Sequence, residues 1–77
     1  MKPIAYTHPS PAGTFTIRLM RGRWHVLFQD EDLGSYPTPQ QALDDLAGGH
    51  TYTLPGGHDS SAMGLSEDLG DWTPHPR

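Results

Sequence analysis

Cysteine is missing from this 77-residue chain, lysine occurs once, and no apolar run is long enough to cross a membrane. Without cysteine there is neither a disulfide framework nor a thiolate metal site, and the absence fits a reducing compartment. Hydrophobic residues make up only 34% of the chain, and a chain of this length buries about 60% of the surface its unfolded form exposes. The core must therefore be thin, so packing or self-association has to supply the stability that cross-links do not. The opening Met1-Lys2-Pro3-Ile4-Ala5-Tyr6-Thr7-His8-Pro9 holds one basic residue and no apolar stretch, which matches neither a secretory signal nor an anchor. A cytoplasmic protein without membrane contact is expected.

Basic residues are scarce and unevenly placed. Residues 1–29 hold Lys2, Arg18, Arg21 and Arg23 and no acid, a charge of +4, whereas residues 30–77 set nine acids against Arg77, a charge of −8. Opposite signs on the two halves point either to local compensation, the commoner outcome, or to a polyanionic partner for the basic half.

What is present is a strand pattern. In Thr14–Met20, Phe15, Ile17 and Leu19 alternate with Thr14, Thr16 and Arg18, the period of two of a half-buried strand. Arg21-Gly22 supplies a turn, and Arg23–Gln29 repeats the alternation with Trp24, Val26 and Phe28 on one side. Asp30-Glu31-Asp32 reads as a solvated turn and Leu33–Tyr36 as a short third strand, with Tyr36 aimed at the core. Thr38-Pro39-Gln40-Gln41 follows, with Thr38 as N-cap, Pro39 at the first helical position and Gln41 completing a capping box. The helix is predicted over 39–47, with Leu43 and Leu46 on its apolar side, and Gly48-Gly49 ends it.

The fold expected is α+β: a three-stranded antiparallel meander over about 14–20, 23–29 and 33–36, with one helix over 39–47 packed on one face. An irregular tail follows, with a short strand at His50–Leu54, a loop at Pro55–His58 and one helical turn over 66–72 capped by Ser66. Residues 1–77 form a single small domain with an ordered core over about 12–73; residues 1–11, which hold three prolines, and 74–77 are expected to be extended or frayed. The second sheet face would carry Thr14, Thr16, Arg18, Met20, Arg23, His25 and Leu27, a mixed set. The tail, through Met63, Leu65, Leu69 and Trp72, is expected to fold back over part of the sheet. If it lies over Arg18, Arg23 and His25, that face is closed; if not, the face is the candidate site.

Nothing in the pattern carries catalysis. His58-Asp59-Ser60-Ser61 holds the residue types of a hydrolytic triad, but consecutive residues cannot converge as nucleophile, base and orienting acid must. The Gly-x-Ser-x-Gly elbow and the phosphate-binding glycine motifs are absent. Of the five histidines, His50 and His58 with Asp59 come nearest to a metal site, yet their spacing fits no ligand pattern. No catalytic residue, metal or cofactor is assigned.

The basic hairpin is the sharper feature, because arginine-bearing β-ribbons can enter a DNA groove. Gly22-Arg23-Trp24-His25-Val26, followed by Leu33-Gly34-Ser35-Tyr36-Pro37-Thr38-Pro39-Gln40-Gln41-Ala42, resembles the strand-strand-strand-helix pattern of the AP2-like arm-binding domains of phage integrases. It is also similar to short uncharacterised bacterial proteins of the same layout. The resemblance covers residues 13–48 and implies DNA contact through the outer sheet face, at Thr16, Arg18, Arg23 and His25. Two departures from it are the acidic net charge of −4 and the acidic segment after the helix, whereas nucleic-acid binders usually present a basic surface.

Three functions follow from these residues. The first is a small non-enzymatic accessory protein of bacterial type, binding another protein or its own copy as a homodimer. A nucleic-acid partner held by the hairpin face is the second. The third is inhibition by acidic mimicry of a nucleic acid, drawn from the negative second half.

Overall fold

The computed structural model describes residues 2–47 and 64–76. Its central hairpin follows from the alternation in the sequence. Strand β2 (Gly13–Met20) pairs antiparallel with β3 (Arg23–Phe28), in register Phe15 to Phe28, Ile17 to Val26 and Arg18 to His25. Arg21 and Gly22 connect them with φ of 54° and 77°, the left-handed pair that matches the twist of the flanking strands. Strand β4 (Glu31–Tyr36) returns along β3 and starts two residues before the predicted third strand. The turn is Gln29-Asp30, while Glu31 and Asp32 lie opposite Phe28 and Leu27. A bulge at Leu33 absorbs the odd residue, so Asp32 faces outward while Leu33 still reaches the core.

The sheet has five strands rather than three. The opening segment, expected to be extended or frayed, forms β1 (Ala5–Ser10) along β2, and the end of the chain, expected to be frayed from residue 74, forms β5 (Thr73–His75) along β1. The spatial order is β4-β3-β2-β1-β5, antiparallel throughout. Proline is accommodated because β5 pairs only with residues 5–7. Pro9 therefore sits where β1 is an edge, and Pro74 lies on the outermost strand.

Helix α1 (Pro39–Ala47) has the predicted bounds. The Gln41 N–H donates to Thr38 Oγ1 at 3.2 Å, and Gln40 Nε2 donates to Asp44 Oδ1 one turn on at 2.9 Å. Nine residues do not hold a helix in water; Ala42, Leu43 and Leu46, each with no exposed surface, dock it on Phe15, Ile17, Val26 and Phe28. Each buried leucine contributes about 1.5–3 kcal/mol relative to exposure. Of the apolar side chains predicted for this face, Leu19 is 37% exposed and Trp24 half-buried.

The tail fills the remainder of that same face. Leu65 and Leu69 pack against the core cluster and Trp72 belongs to it, 2% exposed, its indole N–H donating to the Ser66 carbonyl at 3.0 Å. The helical turn is a 3₁₀ turn at Leu69–Asp71, capped by Asp68 instead of Ser66: Asp68 Oδ1 accepts from the Gly70 amide at 2.9 Å. The short strand placed at His50–Leu54, the loop at Pro55–His58, the metal-ligand question at His50, His58 and Asp59, and Met63 all lie outside the described residues. Among the described residues no helix is long and apolar enough to cross a membrane.

Candidate functional site

Strand alternation sends every second residue of β1, β2 and β3 away from the core, and the register lines these residues up across the sheet. One cross-strand row reads His75, Ala5, Arg18, His25, Ser35; the next reads Thr73, Thr7, Thr16, Leu27, Asp32. Arg23, opposite Met20, stands one row beyond. The structure thus brings all four predicted site residues, Thr16, Arg18, Arg23 and His25, onto one face. None of the side chains in these rows belongs to the buried core, and the described part of the tail packs on the opposite side.

The basic groups on this face differ in how they are engaged. Arg23 Nε donates to Ser35 Oγ at 2.9 Å and its Nη2 to the Ser35 carbonyl at 3.1 Å, which ties it to β4. His25 Nδ1 and Asp32 Oδ2 lie 2.7 Å apart, and Asp32 Oδ1 also accepts from the Gly34 amide at 3.0 Å. Arg18 is exposed, and its side chain makes neither a hydrogen bond nor an ion pair with any described residue. His75 Nε2 shares a hydrogen bond of 2.9 Å with Thr7 Oγ1.

Two hollows open on the face. One of about 260 Å³ is lined by Ile4, Ala5, Thr7, Thr16, Arg18 and His75. The other, of about 240 Å³, is lined by Met20, Arg21, His25 and Asp32. Ala5, Thr7, Asp32, Ser35 and His75 escaped the sequence reading. Ala5-Tyr6-Thr7-His8 shows no apolar-polar alternation and stands between Pro3 and Pro9. Asp32 is hidden by the bulge, which reverses the parity of β4.

The arrangement suits recognition. Arg18 offers a planar fork of donors beside a hollow lined by Ile4, Ala5, Thr7 and Thr16, and such a guanidinium meets a carboxylate with two parallel hydrogen bonds. Among the described residues no three metal-ligating side chains converge. The chain matches no protein family, no curated protein and no solved structure.

Proposed function

We propose that the chain is a non-enzymatic protein-binding domain whose outer sheet face takes up an acidic segment of another protein. The contrast between the two faces carries this reading. One is filled by α1 and Trp72, while the other is covered by no described element and centres on Arg18, an exposed guanidinium without a described counter-charge. A face on which Arg18 and Arg23 outnumber the single acid Asp32, with Arg18 near its centre, is complementary to a carboxylate.

A second copy is a less suited partner, because two-fold pairing sets this face against itself, and its rows hold Arg18 and Arg23 against the one acid Asp32. Duplex DNA is also less suited. The described arginines on or beside the face are Arg18, Arg21 and Arg23, a small set for a polyanion, since affinity for a duplex grows with the number of phosphates neutralised. Acidic mimicry gains little support, since the described acids are divided among β4 and its turn, the helix and the tail turn.

Fluorescence anisotropy with a labelled peptide of alternating Glu and Ser tests the reading. The peptide should bind, its affinity should fall as salt rises, and Arg18→Ala should weaken it about tenfold, the worth of one hydrogen-bonded charge. Tighter binding of a short DNA duplex than of the peptide, or no effect of Arg18→Ala, contradicts it.

A further inference from the structure

The register places the smallest side chain of the outer row between two of its largest polar ones. Ala5 lies opposite Arg18 on one side and His75 on the other. Adjacent strands run about 4.8 Å apart, so the two long side chains rise from backbones about 10 Å apart with a single methyl between them. This is the origin of the hollow of about 260 Å³. Its floor continues into the next row, where Thr7 faces Thr16, and Ile4 closes one side as an apolar wall.

We infer that this hollow is a carboxylate subsite that receives the tip of a glutamate or aspartate side chain of the bound partner; the inference rests on reading the outer face as a protein-binding surface. Arg18 supplies paired N–H donors and the full charge, and Thr16 supplies a hydroxyl. The hydrogen bond between Thr7 Oγ1 and His75 Nε2 fixes the histidine ring as the far wall. The methylenes of the incoming side chain lie against Ala5 and Ile4. A phosphate dianion is the poorer match, because Arg18 is the one permanently charged group in the lining and Ile4 and Ala5 favour an alkyl stem.

The test is an NMR titration of the full chain with N-acetyl-glutamate N-methylamide, and with its glutamine counterpart as the uncharged control. The glutamate compound should shift the methyl signals of Thr7 and Thr16 and the ring signals of His75, whereas the glutamine compound should leave them in place. Ala5→Leu fills the gap without altering any charge and should abolish the shifts, with unchanged Leu43 and Leu46 signals certifying the fold. Arg18→Gln, at an exposed position, should weaken the titration about tenfold. Equal shifts from the two compounds, or equal shifts in Ala5→Leu and the parent, overturn the subsite. If the acidic peptide still binds Ala5→Leu with parent affinity while Arg18→Ala loses it, the face reading stands and the subsite falls. If the glutamate compound binds while the peptide does not, the subsite stands and the wider reading falls.

Discussion

Arg21 and Gly22 both occupy the left-handed region, with φ of 54° and 77°, and glycine does so without the Cβ penalty of about 1–2 kcal/mol that other residues meet there. Gly22→Ala should therefore destabilise the domain by about 1 kcal/mol although a Cβ at this position would meet nothing within 4 Å. Chemical denaturation checks this, and a larger loss would mean that the turn does more than reverse the chain. Thr38 acts through one hydroxyl. Because Thr38 Oγ1 accepts from Gln41 N–H, Thr38→Ala should cost about 1 kcal/mol and Thr38→Ser little, read by the same denaturation curves. Trp72 is the heaviest single contribution: it is 2% exposed, its N–H is satisfied by Ser66, and its ring centroid lies 5.1 Å from that of His8. Trp72→Ala should remove about 3–5 kcal/mol, about all that the core of a domain this small supplies, and far-ultraviolet circular dichroism should show a largely unfolded chain at ambient temperature.

The elements differ in how far local sequence determines them. The hairpin and the helix were legible because their signals are internal: alternation in Phe15-Thr16-Ile17 and Trp24-His25-Val26, and the Thr38-Pro39 start. Strands β1 and β5 were not. Three residues with a proline at their centre carry no strand signal, and β5 exists because Trp72, anchored in the core, delivers Thr73–His75 alongside β1. The candidate site was divided in the same way. Thr16, Arg18, Arg23 and His25 could be assigned to one face from the hairpin alone, whereas Ala5 and His75 enter it through pairings between the two ends of the chain. The two sheet edges are blunted by different means. Strand β4 carries Glu31, Asp32 and a bulge, and β5 is three residues long with Pro74 at its centre. Glu31→Thr with Asp32→Thr strips the acids from the β4 edge, and this double variant should self-associate more than the parent in sedimentation velocity. Identical sedimentation would mean that the bulge alone guards the edge.

Across the whole molecule, the described residues put nearly all their apolar weight on one side of a single sheet. Phe15, Ile17, Val26 and Phe28 meet Leu43, Leu46 and Trp72 there, while the outer face keeps threonines, Arg18, Arg23 held by Ser35, and His25 beside Asp32. Among the described residues Arg18, Arg21 and Arg23 have no acidic partner, and Arg18 stands nearest the centre of the face. So few cations make recognition salt-sensitive but not strongly polyanion-seeking. The most direct test of the account is a methyl map of the acidic peptide complex in solution. Thr16, Met20 and Leu27 signals should shift with peptide concentration while those of Leu43 and Leu46 stay fixed. Shifts confined to the helix side, or none at peptide excess, would contradict the assignment of the outer face as the binding surface.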